Sequence, residues 1–258
     1  MEQLALEQEV TDLLISGLKQ KKDPSIGLYF CRKATECIVQ NKFYQETGER
    51  IKEERGKPFP SLNRITMNLK KLGFIDHQTA TRIESINAET RKGIHWDFET
   101  KGMPADFEDV ELIVKQVESV YYKSFKERIS LDGMKISDED WGENVKKIVD
   151  IELTNQGISH DSKPSSDEVN EEELEMILNV AEAATSQGVE FDNWELIRLG
   201  SAAELKGDLE ISEGYNRQAL RKFKNLKDRK GESSSLNNLG LIAKTRGDLE
   251  EAERLYKE

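Results

Sequence analysis

Near its C-terminal end the chain copies itself at an offset of forty residues. Leu199-Gly200 recurs as Leu239-Gly240, and Gly207-Asp208-Leu209-Glu210 recurs as Gly247-Asp248-Leu249-Glu250. Ala203, Lys206 and Glu213 meet Ala243, Arg246 and Glu253 at the same offset. A period of this length marks stacked supersecondary units, each too small to bury its apolar face alone. Small residues (Gly200, Ala203; Gly240, Ala243; Ala252) fall where two helices must approach closely. Each Gly-Asp pair reads as a helix stop followed by the cap of the next helix. In the second copy Glu251, three residues after Asp248, adds a box-like partner to that cap. One helical hairpin per repeat follows.

The pairs Leu196/Leu236, Leu199-Gly200/Leu239-Gly240 and Ala203/Ala243, with Ala252 and Tyr256 in the second copy, resemble the tetratricopeptide repeat in its longer, forty-residue variant. The resemblance covers about residues 193 to 258. The first copy departs from the family pattern, with Ser212 in place of Ala and Asn216 in place of an aromatic residue, as suits a first or capping repeat. The resemblance implies a solenoid whose concave surface recognises a protein or peptide partner. The second copy stops at Glu258, inside its second helix, while Leu249, Ala252, Leu255 and Tyr256 keep an apolar rhythm. The expectation is a truncated array, its apolar end covered by further repeats or by a second chain.

The first 130 residues carry helical periods and no strand period. Leu6, Val10, Leu13, Leu14 and Leu18 mark a first helix. Asp23-Pro24 opens a second, with Ile26, Phe30, Ala34, Cys37 and Ile38 as its apolar stripe. The Gly- and Pro-containing stretch 45–60 reads as a loop. Ser61 caps a third helix (Leu62, Ile65, Leu69, Leu72), stopped by Gly73. A fourth spans about Asp76 to His95 with Ile83, Ile86 and Ile94, and a fifth, opened by Pro104 and Asp106, carries Val110, Ile113, Val114, Val117 and Tyr121. The pattern predicts a five-helix bundle. The run Leu28-Tyr29-Phe30-Cys31-Arg32-Lys33-Ala34-Thr35-Glu36, with its Arg-x-Ala-x-Glu spacing, then Leu69-x-x-Leu72-Gly73-Phe74-Ile75 and the helix Ile83 to His95, resembles the HEPN-like families. Among these it is similar in particular to the domain of unknown function that recurs beside type I restriction subunits.

Residues 131–170 read as an acidic linker with one short helix around Trp141, Val145, Ile148 and Val149, and Asn155 to Asn170 as solvated chain. Asn170 and Glu173 then open a helix with Leu174, Ile177, Leu178 and Ala181 on one face, stopped by Gly188. The expected organisation is therefore all-α: a bundle over 1–130, the linker over 131–170 and a helical repeat region over 171–258. The net charge of −12 is concentrated in the middle, since residues 131–192 hold 17 acids against 4 bases while both flanks are nearly balanced.

Chemistry-bearing patterns are few. Asn87, Arg91 and His95 recur at i, i+4 and i+8, on one helix face. The HEPN resemblance implies a metal-independent ribonuclease site there, with His95 as base or proton donor and Arg91 steadying phosphate charge. The pattern departs from the family in having three residues between Arg and His and in the order of Asn and Arg. The competing expectation is that the three cap and bridge helices at a bundle or dimer surface. Arg217, Arg221 and Lys224, within the basic run that continues through Lys222, Lys227, Arg229 and Lys230, are candidates for an acidic partner or a phosphate backbone, against the simpler reading of an exposed outer helix.

No nucleotide loop, zinc-protease motif or serine elbow is present, so neither cofactor nor metal is expected. Cys31 and Cys37 lie six residues apart on a helix and turn away from one another, so reduced thiols are expected. The absence of an apolar run of membrane-spanning length, or of a signal peptide, points to the cytoplasm and to no membrane partner. The leading expectation is a protein–protein interaction or scaffold module, regulatory or defence-related, docking through its repeats and dimerising through its bundle. The alternative is a ribonuclease controlled through the same repeats, with RNA as its substrate.

Overall fold

The computed structural model describes residues 2–20, 24–49, 51, 61–94, 107–131 and 138–258, and among them the regular structure is entirely helical. The helices are α1 (Glu2–Leu18), α2 (Pro24–Thr47), α3 (Leu62–Lys71), α4 (His77–Ile94), α5 (Phe107–Phe125), α6 (Asp138–Asn155), α7 (Glu171–Ser186), α8 (Asn193–Lys206), α9 (Leu209–Leu226), α10 (Arg229–Thr245) and α11 (Leu249–Lys257), with a 3-10 turn at Ser166–Glu168. None of the described helices is long and apolar enough to cross a membrane. The chain divides into two compact units, and the division falls inside α6, between Asn144 and Val145.

In the first unit α2 is the central helix, packed on α1, α3, α4 and α5. Its stripe of Ile26, Phe30, Ala34 and Ile38 is fully buried, as are Leu6, Val10 and Leu14 of α1 and Val110, Val117 and Tyr121 of α5, the helices packed on it. The α1–α2 crossing depends on missing side chains. A Cβ on Gly17 would stand 2.9 Å from the Gly27 carbonyl oxygen, and one on Gly27 would stand 2.9 Å from both the Gly17 carbonyl oxygen and Val110 Cγ2. Ser61 caps α3 by accepting from the Arg64 amide, and the chain turns at Gly73, whose φ of +76° an L side chain would resist. Leu72, expected to face inward, is exposed instead, because α3 ends at Lys71 and Leu72 sits in its C-cap.

Charge is buried in the middle of α2. Arg32 Nε and Lys33 Nζ contact Glu36 at 3.0 and 2.7 Å, with Arg32 and Lys33 both almost fully buried. Burial alone would raise the Glu36 pKa, but Lys33 and Arg32 outweigh it and hold the carboxyl below the usual carboxylate range. The Arg-x-Ala-x-Glu spacing thus has an internal structural use, closing an ion cluster within one helix.

In the second unit the stretch from Val145 to Asn170 holds more structure than its composition suggests. α6 runs eighteen residues and buries Val145, Val149 and Leu153. Beyond it, Ile158 is only 1% exposed, and the Gln156 side chain accepts from the Asn170 amide at 2.8 Å. The reason is a long-range partner. Arg198 on α8 donates from Nε to the Ile158 carbonyl (2.9 Å), and from its other nitrogens to the Asp150 carbonyl (3.0 Å), to Thr154 Oγ1 (2.9 Å) and to the Asp150 carboxylate. Those residues lie forty to forty-eight positions away in the chain, beyond the reach of any local pattern.

Candidate functional site

The hairpins α8–α9 and α10–α11 repeat in their hydrogen bonds as well as in their residues. At the first, Gly207 takes φ +88° and the Asp208 amide donates back to the Ala203 carbonyl at 2.8 Å; at the second, Gly247 takes φ +84° and the Asp248 amide donates to the Ala243 carbonyl at 2.9 Å. Each Asp then begins a helix, its carbonyl accepting from the amide of Ser212 or Ala252 at 3.0 Å. The side chains differ. Asp248 Oδ1 caps the Glu251 amide at 3.1 Å, whereas Asp208 makes no side-chain cap. The Glu251 carboxylate turns to Arg254, so the box expected at Asp248 is made only on the Asp side. A complete capping box stands instead at Asp192 and Glu195, opening α8.

The two helices of each hairpin meet at its glycine. A Cβ on Gly200 would lie 2.4 Å from Asn216 Nδ2, and one on Gly240 would lie 2.5 Å from the Tyr256 ring. Asn216 and Tyr256 are themselves forty residues apart, so the same pair of positions is in closest contact in both copies. Asn216, the departure from the aromatic pattern, is 1% exposed. It is satisfied by donating to the Ser212 carbonyl and accepting from Asn238 Nδ2, both at 2.9 Å. Leu236, Leu239, Ala243, Ala252 and Leu255 form the core of the second hairpin, with Leu220 against it. Of the four apolar residues noted in α11, Ala252 and Leu255 are covered within the hairpin, while Leu249 and Tyr256 are exposed.

The opening of α8 carries an aromatic cluster. Trp194 meets Phe223 edge-on at 4.9 Å and His160 at 5.1 Å, with Lys230 Nζ 5.6 Å above its ring. His160 and Asp161 stand at the tip of a turn closed by the Ser159 amide on the Ser162 carbonyl, 2.9 Å. Asp161 pairs with Lys230 at 3.3 Å, and Lys163 with Glu204 at 2.5 Å. These contacts join residues 160–163 to positions 194, 204 and 230, so no local pattern in the sequence marks them as a group.

The basic candidates are placed on α9 with partners at hand. Arg217 pairs with Glu213 at 2.7 Å, and Arg246 reaches the other oxygen of the same carboxylate. Arg221 Nε donates to the Arg217 carbonyl at 3.3 Å, and Lys224 pairs with Glu258 at 2.6 Å. Lys222 donates to the Phe191 carbonyl at 2.7 Å. Arg229 and Lys230 belong to α10, because Lys227 takes φ +56° and ends α9. The carboxylates of Glu213 on α9 itself, Glu258, Glu232 and Asp161 thus meet Arg217, Lys224, Arg229 and Lys230.

Asn87 and Arg91 share a face of α4. Asn87 is 5% exposed and points inward, its Nδ2 donating to Asn63 Oδ1 on α3 at 3.0 Å while its Oδ1 is enclosed without a partner. Arg91 is half-buried. His95 lies outside the described residues. No family model matches the sequence, and no curated protein matches it either.

Proposed function

We propose that α8–α11 are two tetratricopeptide-type repeats and that the chain acts as a docking scaffold for a protein partner. The observation that carries this is the Gly200–Asn216 and Gly240–Tyr256 pairing at one offset, joined by turns with matching bonds. Stacked hairpins of this kind leave one face of their first helices uncovered, and such faces recognise extended segments of other proteins. On α10 that face includes Asn237 and Lys244, both exposed. The α1–α5 bundle is a HEPN-like domain in this proposal, and it serves assembly rather than catalysis. What favours assembly is the inward placement of Asn87 between α3 and α4, where it bridges helices instead of facing a substrate.

A photoreactive benzoylphenylalanine placed at Asn237, Lys244 or Arg221 in the full chain tests the docking face in an extract of the source cells. Discrete protein adducts from positions 237 and 244 are expected. No adduct from either position, or adducts from 221 alone, contradicts the proposed face.

A further inference from the structure

Two polar stripes face one another where α4 and α5 run side by side. Gln78, Arg82 and Ser85 lie at i, i+4 and i+7 on α4; Lys115, Gln116 and Ser119 lie at i, i+1 and i+4 on α5. Between them opens a groove with a volume of about 1010 Å³. Gln78, Ser85 and Lys115 are exposed and Arg82, Gln116 and Ser119 half-buried, so the groove opens to solvent above the apolar contact of the two helices. Here only Leu112 among the lining residues is a large apolar side chain. The two permanent cations meet no carboxylate among the described residues. The Arg82 guanidinium is held by the Ser119 hydroxyl, Lys115 stands one turn before Ser119 on α5, and both side chains line the groove. The one acid among its lining residues, Asp76, stands at the end of the groove where α4 begins, its Oδ1 accepting from the Thr79 amide at 2.7 Å.

We propose that this groove binds a small molecule carrying linked phosphates, as in a diphosphate, with the Arg82 fork on one phosphate and Lys115 on the other. An arginine already oriented by a neutral hydroxyl, with no carboxylate to displace, is preorganised to take two anionic oxygens at once. Ser85, Gln78 and Gln116 supply uncharged donors around the oxygens the two cations leave free. The groove is open to solvent along its length, so a nucleoside diphosphate can lie in it as well as inorganic pyrophosphate. This site is separate from the Asn87–Arg91 face of the same helix and does not depend on the hairpins being a docking scaffold.

Calorimetric titration of the full chain with pyrophosphate and, separately, with ADP decides it. Saturable binding of at least one is expected. Arg82→Gln and Lys115→Gln should each weaken it about tenfold or more, the loss of one charge-assisted contact. Ser85→Glu alters an exposed residue and removes no described bond, so it brings a carboxylate into the groove of a folded protein and should abolish binding. Lys244→Gln, a cation of α10, should leave the affinity unchanged. Equal affinity for the two probes assigns the site to the diphosphate group itself; preference for ADP assigns it to a nucleotide. No saturable binding of either probe at millimolar concentration overturns the proposal. So does binding that survives Ser85→Glu and Lys115→Gln.

Discussion

Replacing Gly200 by alanine sets a local helix preference against a buried contact, and the contact should win. Alanine in a helix interior is favoured over glycine by about 1 kcal/mol. Its Cβ, however, would stand 2.4 Å from Asn216 Nδ2, closer than packed Cβ atoms come to any neighbour, and 3.1 Å from Cγ, itself a tight contact. Asn216 cannot simply lean away, because it is enclosed and held at both ends by Ser212 and Asn238. Displacing it forfeits two hydrogen bonds, each worth about 0.5–1.5 kcal/mol, and strands a buried amide at a further ~1–3 kcal/mol. Allowing for partial relaxation, Gly200→Ala should destabilise the hairpins by about 1–3 kcal/mol. In an Asn216→Ala background the obstruction is gone, and the same change should stabilise by up to ~1 kcal/mol, a coupling of roughly 1–4 kcal/mol in the double-mutant cycle. Gly240→Ala makes the internal comparison. Its obstacle is Tyr256, half-exposed and able to swing outward, so the net effect should stay within about 0.5 kcal/mol of zero. Urea unfolding read by amide exchange over residues 193–226 measures these values. If Gly200→Ala stabilises the otherwise unaltered protein, the close approach is not what places glycine there.

Four further outcomes are expected. Leu239→Asp places an unpaired charge at a 3%-exposed position and should cost several kcal/mol, unfolding α10–α11 while exchange over residues 2–47 is unchanged; equal protection in mutant and wild type would refute the packing. Arg198→Ala removes the ties to Ile158, Asp150 and Thr154, and limited proteolysis should then cut first between residues 156 and 165, faster than in the unaltered chain. Hydrogen bonds from Arg217 and Arg246 hold the Glu213 carboxyl below its ordinary 4.5; this contribution is present above that pH and lost as pH falls through the lower folded value, so Glu213→Gln should flatten part of the acid-side loss of hairpin stability. Burial pushes the Cys31 thiol up to about 12 and raises that of Cys37 as well, so neither should react with Ellman's reagent at pH 8 until the protein unfolds; a fast native reaction would show the α1–α2 interface to be open.

The parts of the fold that were readable in the sequence are those governed by neighbours in the chain. The stripes of α1 to α5 and the stops at Gly73, Gly188, Gly207 and Gly247 depend on residues within a turn or two, and helices stand where those signals fall. The hairpin pairing was also readable, because repetition converts a long-range contact into a visible offset. Arg198 shows the limit. Its partners lie on α6 and in the following loop, so a segment of Gly, Ser and Asp that looks solvated is tied down by a residue some forty positions on. The candidate sites divide in the same way. The i, i+4 relation of Asn87 and Arg91 is a property of one helix, but whether that face looks inward depends on Asn63 of α3. The basic run on α9 is visible as charge, and so is Glu213 one turn before Arg217, whereas the acid that meets Lys224, Glu258, comes from another helix. The α4–α5 groove needed two separate stripes to be brought side by side.

Repetition itself can be tested by extending it. If residues 209–248 are one structural period, a second copy inserted after Asp248 should fold as an added helix pair, since each unit contacts only its neighbours. The longer chain should gain helical signal in proportion to the forty added residues, and amide protection over α8–α10 should equal or exceed that of the parent. An insert that exchanges as unfolded chain, or that lowers protection in α8 and α9, would contradict the equivalence of the two hairpins on which the scaffold assignment rests.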